Sequence, residues 1–203
     1  VSKKGGSGPS GMDAEGWRRI LTSKAFGTAS NDLRKIFAQL IKKLCIEEME
    51  STSSLESFLA CRLIPLNKNP GLRPIGVGEV LSRIAGNAVM MLCKIDIKQA
   101  AGALQLSAGQ DAGAEAAVHA MYDIYSEETT EAVLLIDAEN AFNSINRKVM
   151  LHNMKFLCPL VSNYISNCYA RPARLFIIGG GEMLLKEGTT QGDPTSMGVY
   201  ALG

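Results

Sequence analysis

The chain lacks any apolar run near the roughly 20 residues that a membrane-spanning helix needs, and Val1-Ser2-Lys3-Lys4 leads into glycines rather than into the apolar stretch of a secretory signal. No membrane partner is therefore expected. The five cysteines (Cys45, Cys61, Cys93, Cys158, Cys168) form no CxxC pair, and the two histidines, His119 and His152, stand near no cysteine cluster, which argues against a zinc site. An odd number of scattered thiols points to reduced core cysteines and an intracellular chain, nucleus or cytoplasm unresolved. GxxxxGK[ST] is absent, and the glycine-rich Gly5-Gly6-Ser7-Gly8-Pro9-Ser10-Gly11 has no lysine and follows no strand, so P-loop chemistry is excluded. Hydrolase chemistry has no GxSxG to rest on. No internal repeat is present.

What the chain does have is a globular composition, 46% apolar and 20% charged. Its formal net charge of +1 conceals an asymmetry. Residues 1–100 hold 15 Lys and Arg against 9 Asp and Glu, whereas residues 101–203 hold 6 against 11. Solvated faces can differ this much by chance; a basic half that meets phosphate and an acidic half that holds metal would differ in the same way.

Apolar spacing places a short helix over Trp17–Phe26. A long amphipathic one follows, capped by Ser30 or Asn31 and carrying Leu33, Ile36, Phe37, Leu40, Ile41 and Leu44. Ser51, Ser53 and Ser54 mark a break. Cys61–Leu66 and Leu72–Val77 read as two strands joined by the turn Asn67-Lys68-Asn69-Pro70-Gly71, with Pro65 and Pro74 suited to edge positions. Helices follow over 79–101 and 111–125. Val133–Asp137 reads as a buried strand closed by an acid. Ser144 is placed to cap a helix through Met154, and another helix covers Pro159–Tyr169. Arg174–Ile178 and Glu182–Lys186 form a hairpin about Gly179-Gly180-Gly181. A last helix starts at Asp193, with Asp193 as N-cap and Pro194 in the first turn.

Three segments carry chemistry. A carboxylate at the end of an apolar strand, Asp137, is held where a divalent cation can sit, and the Ala138 carbonyl is a second oxygen; the same Asp can simply cap the following turn. Lys68 and Arg73 flank a tight turn and offer a point charge and a planar fork to a polyphosphate, or are ordinary exposed turn charges. In Gln191-Gly192-Asp193-Pro194, Gly192 allows a positive φ or close approach of a ligand to the backbone.

In this order the segments resemble the reverse transcriptases of eukaryotic retrotransposons, from about residue 60 to Gly203. Leu63-Ile64-Pro65-Leu66 with Leu72-Arg73-Pro74-Ile75-Gly76 looks like the fingers hairpin. Gln105–Ala120 is similar to the stretch before the catalytic strand, and Asp137-Ala138-Glu139-Asn140-Ala141-Phe142 to the motif DxxxAF. Glu187–Pro194 is similar to the QG motif. Residues 8–21 have the flavour of the segment that precedes the fingers.

The resemblance implies an α+β, right-hand polymerase fold: fingers plus an incomplete palm, with antiparallel strands and packed helices. Residues 1–110 would be N-terminal extension and fingers, and 111–149 the first part of the palm. Residues 150–188 would be helices and hairpin between the catalytic motifs, and 189–203 the start of the QG helix. It implies an RNA-directed DNA polymerase that works on an RNA template, a DNA or RNA primer and dNTPs, with Mg²⁺ or Mn²⁺. Asp137 and the Ala138 carbonyl would hold metal, and Phe142 would exclude a ribose 2′-OH. Gln191 and Gly192 would face the incoming nucleotide, and Arg73 and Lys68 its triphosphate. Asn143 stands where many relatives have Asp, outside the metal ligands.

No (F/Y)xDD occurs in the chain; the family places it beyond the QG helix. That absence, and a first residue of Val rather than Met, imply a piece of a longer protein. Two unit charges about 4 Å apart repel by about 4 kcal/mol at an effective dielectric near 20. Asp137 alone therefore cannot hold a metal pair, and these 203 residues are expected to be inactive; the Asp137 strand without its neighbours and the short helix from Asp193 imply a marginal piece prone to aggregate. A decayed or domesticated copy that only binds nucleic acid, and a relative of group II maturases or telomerase, are the alternatives.

Overall fold

The computed structural model describes residues 6–203 as an α+β protein with a four-stranded mixed sheet beside a helical core. Of the glycine-rich N-terminal stretch, residues 1–5 lie outside the described residues. Helix α1 (Ala14–Thr22) starts where Asp13 accepts the Gly16 N–H at 2.7 Å. Helix α2 (Gly27–Ile46) begins ahead of the expected caps, just after Phe26. Ser30 is instead buried in its first turn and donates its hydroxyl to the Ile20 carbonyl at 2.6 Å, tying α2 to α1. The serines expected to break the chain start a helix, α3 (Ser53–Leu59), because Thr52 accepts the Leu55 N–H and satisfies one of the free donors of the first turn.

Strands β1 (Cys61–Asn67) and β2 (Leu72–Gly78) form the predicted antiparallel hairpin, with Pro65 opposite Pro74. Two prolines can face each other only at a non-hydrogen-bonded pair, where neither N–H is required. Strands β3 (Ala173–Ile177) and β4 (Gly181–Leu185) form the second hairpin. The sheet runs β2-β1-β3-β4, and β1 lies parallel to β3 through Cys61 and Arg62. Both expected hairpins are antiparallel, and the parallel contact between them makes the sheet mixed. The long helical stretch between β1 and β3 allows a crossover that no tight turn could make. Pro65 lies past the short contact with β3, so β1 can be an interior strand despite it.

Helices α4 (Val80–Ala101), α5 (Gly113–Ser126), α6 (Ala141–Ser144), α7 (Arg147–Leu157), α8 (Pro159–Tyr169) and α9 (Ser196–Leu202) complete the chain. The core is built from apolar stripes of α2, α4, α7, α8 and α9: Leu44, Val89, Met150, Met154, Ile165 and Val199 are essentially inaccessible. The thiols of Cys61 and Cys93 belong to the interior, and burial pushes them up to about 12 and about 11, far from nucleophilic at neutral pH. Asn146 rather than Ser144 caps α7, accepting the Val149 N–H at 3.0 Å, while Ser144 closes the one-turn α6. No helix among the described residues is long and apolar enough to cross a membrane.

The largest departure is Val133–Asp137. It is not a strand, and Leu134, Leu135 and Ile136 are 83–85% exposed. A strand needs a neighbour to take its N–H and C=O groups, and among the described residues none lies beside this run. Val118, Tyr122 and Tyr125 of α5 are also about 70% exposed, so residues 113–136 present apolar side chains to water. Unpaired backbone next to exposed Leu and Ile is a template for self-association.

Candidate functional site

An open cleft of about 490 Å³ lies between the end of the β1–β2 hairpin, the segment 137–142 and the loop that leads into α9. All seven residues singled out in the sequence line it: Lys68, Arg73, Asp137, Ala138, Phe142, Gln191 and Gly192. They come from three segments far apart in the chain and are brought together only by the fold. Asp193, Pro194 and Ile75 complete much of the wall.

The loop 188–193 is fastened on both sides. The Gly76 N–H of β2 donates to the Gln191 carbonyl at 2.9 Å. Gly192 has φ +102°, and a Cβ there would lie 2.8 Å from the Gly76 carbonyl oxygen, so only glycine fits this approach of two backbones. On the other side, Thr189 N–H donates to the Phe142 carbonyl at 2.6 Å, and Gly188 N–H to that of Ile145 at 2.9 Å. Gly188 has φ +65°, and a Cβ on it would run into the Phe142 carbonyl oxygen. Phe142 thus has its backbone pinned while its ring packs on Tyr200 of α9, with centroids 4.9 Å apart and planes tilted by 44°.

Asp193 is not the cap of α9. Its Oδ1 accepts the N–H and the hydroxyl of Thr195, both at 2.7 Å, closing a local turn two residues on. Thr195 is the N-cap residue and the helix starts at Ser196, leaving Pro194 ahead of the first turn. A short carboxylate satisfies the nearest donors it can reach, and here these belong to the turn.

Sequence reasoning missed Arg147, a buried guanidinium that holds this corner together. Its Nε and Nη2 donate to the Gly188 carbonyl at 3.1 and 2.9 Å, Nη2 also to the Glu187 carbonyl at 3.2 Å, and Nη1 to that of Arg171 at 2.9 Å. The Glu187 carboxylate accepts the Arg147 backbone N–H at 2.9 Å. The guanidinium also lies over the Tyr169 ring, 5.6 Å from its centroid. Burial pulls its pKa below the usual guanidinium range, and Tyr169 and Glu187 offset part of that. The signal was present: Arg147 falls on the helical face of Met150 and Met154, the face that the core covers.

The electrostatics distinguish this cleft from a larger one. A cleft of about 630 Å³ between α1, α3 and the sheet is lined by Trp17, Phe58 and Phe176 and holds none of the seven residues. Its carboxylates are committed: Glu79 accepts both the N–H and the hydroxyl of Ser10 at 2.7 Å, and Glu56 meets Arg174 and Ser51. In the smaller cleft, Lys68, Arg73 and Asp137 make no ion pair among the described residues. Charge without a protein partner is available to a ligand.

One uncommitted carboxylate beside two uncommitted cations suits a polyphosphate that carries Mg²⁺ or Mn²⁺, whose phosphate oxygens supply most of the metal's ligands. It does not suit two metals held by these residues alone. Among the described residues no group of three His, Cys, Asp or Glu is placed to hold a metal ion, and Asp193 has one oxygen occupied by Thr195. The chain matches no model of a known protein family, and no curated protein matches it significantly.

Proposed function

We propose that this chain is the nucleotide-binding part of an RNA-directed DNA polymerase, comprising fingers and the first part of a palm. The supporting observation is the convergence on one cleft of two cations and one carboxylate without ion-pair partners among the described residues, a packed aromatic ring and a glycine at a backbone crossing. In this reading Arg73 grips a phosphate of the incoming dNTP with its planar fork and Lys68 adds a mobile point charge. Asp137 and the Ala138 carbonyl meet the divalent cation that travels with the triphosphate. Phe142 lies under the sugar and rejects a 2′-OH. Gln191 and Gly192 form the floor along which the nucleotide meets an RNA template and the primer end. When bound, the metal offsets phosphate charge; the chain's own residues position the triphosphate and select the sugar.

Arg73→Ala is expected to weaken Mg²⁺·dATP binding about tenfold, the loss of one charge-assisted contact. Lys68→Ala should cost less, because an exposed ammonium retains its water. Both side chains are exposed, so melting temperature should hold. Fluorescent-nucleotide displacement reads the affinity, and wild-type affinity in Arg73→Ala contradicts the reading.

The second reading, a nucleic-acid-binding domain without catalysis, draws on the single uncommitted carboxylate in the cleft. For the polypeptide of residues 1–203 the two readings predict the same outcome: no primer extension with Mg²⁺ and dNTPs. Clear extension would contradict the carboxylate count.

A further inference from the structure

We infer that Tyr200 is a positioning residue for sugar selection, acting through Phe142; the inference rests on the nucleotide-binding reading above. Phe142 stands on α6, a single turn of four residues that follows Asn140 in the left-handed region at φ +50°. So short a helix has almost no cooperative stability of its own. The contacts from Thr189 and Gly188 fix the backbone of this turn but leave the Phe142 side chain free to change rotamer. The aromatic ring packed on it belongs to Tyr200.

Tyr200 is well anchored for this role. Its neighbours Val199 and Leu202 are 1% and 4% exposed in the helical core. The Leu202 carbonyl accepts the Asn153 side-chain N–H of α7 at 3.1 Å. The Tyr200 ring is therefore referenced to the core, and it passes that reference to Phe142. A tilted pair at this separation is within the favourable range for aromatic rings. Without the Tyr200 ring, Phe142 can swing back and open the space that a 2′-OH needs. The Tyr200 hydroxyl has no hydrogen-bond partner among the described side chains, so the ring and not the hydroxyl carries the effect.

The test measures affinity for Mg²⁺·dATP and Mg²⁺·ATP with the 203-residue chain and its variants, alongside thermal melts. Tyr200→Ala should lower the preference for dATP by about fivefold, the worth of one aromatic pair, mainly by tightening ATP. Tyr200→Phe should retain wild-type preference. Phe142→Val should abolish it, and adding Tyr200→Ala to Phe142→Val should change nothing further, because both act on one gate. A general loosening of the fold would weaken both nucleotides together and would add to the loss from Phe142→Val. Should Tyr200→Ala melt too low to assay, Tyr200→Leu keeps the bulk, removes the aromatic plane and is expected to lower the preference in the same direction. A wild-type chain that prefers dATP, with that preference intact in Tyr200→Ala and Tyr200→Leu, overturns the role of Tyr200 alone. A wild-type chain that binds neither nucleotide overturns the underlying reading with it.

Discussion

Arg147→Ala is expected to lower the stability of the chain by about 3 kcal/mol, because three carbonyls, that of Gly188 buried and those of Glu187 and Arg171 partly buried, each lose a donor at about 1 kcal/mol. For a chain of this size that corresponds to a fall in melting temperature of about 6–12 °C. At Gly188 the cost is not offset by water, since Arg147 is only 5% exposed and that carbonyl lies in the interior. Arg147→Lys should recover little, because an ammonium cannot span three carbonyls that a planar fork reaches in one pose. Relief of burying a charge works in the opposite direction, and Arg147→Met isolates it: the methionine keeps the packing against Tyr169 while removing the charge. The site should respond along with the fold. Arg147 anchors residues 187–188; Gly188 in turn holds Ile145, and the adjoining Thr189 holds Phe142. Urea or thermal unfolding provides the measurement. A loss below about 1 kcal/mol in Arg147→Ala would mean that the corner is held by something other than these hydrogen bonds.

Asp137→Asn should separate metal-dependent from metal-independent binding by about 100-fold, the worth of one strong charged contact in a partly enclosed cleft. The sign differs between conditions. With Mg²⁺ present, Asp137 meets the cation and tightens the triphosphate, so the variant binds more weakly. With EDTA, Asp137 faces bare phosphate and repels it, so the variant binds as well as wild type or better. A crossing of this kind cannot come from misfolding, which would weaken both. Asp137 is exposed and makes no ion pair among the described residues, so its replacement should leave the melting temperature unchanged. Calorimetric titration of dATP with and without Mg²⁺ reads the crossing; an equal response to Mg²⁺ in both proteins would remove Asp137 from the metal.

Elements ruled by local physics were legible in the sequence. Helix α8 spans the predicted Pro159–Tyr169, and the β1–β2 hairpin lies within a residue of its expected bounds, because a proline at a helix start and a turn between alternating strands are local signals. The caps of α7 and α9 were displaced by two residues each: Asn146 takes the Val149 N–H while the Ser144 hydroxyl donates to the Ala141 carbonyl, and Asp193 is spent on its turn with Thr195. Pairing between distant segments was not legible. Nothing near Cys61 announces a parallel partner at Leu175, and nothing in Val133–Asp137 shows whether a neighbouring strand is present. That is why a run with the composition of a buried strand stands exposed.

The candidate residues were read from short motifs, and their assembly into one cleft follows from contacts that no motif displays. These are the Gly76–Gln191 hydrogen bond, the backbone crossing at Gly192 and the fork of Arg147. Arg147 itself escaped notice because a charged residue is ordinarily assigned to solvent, although its spacing with Met150 and Met154 placed it on the buried face.

The most direct test of the central claim, that this cleft takes a metal-bearing deoxynucleoside triphosphate, is paramagnetic broadening of backbone amide signals by Mn²⁺·dATP. Loss of signal is expected around Ala138, Phe142, Gly192 and Arg73, greatly reduced in Asp137→Asn, while Trp17 and Phe176 in the larger cleft keep theirs. Broadening centred on Trp17 and Phe176, or a pattern that Asp137→Asn leaves unchanged, would contradict it.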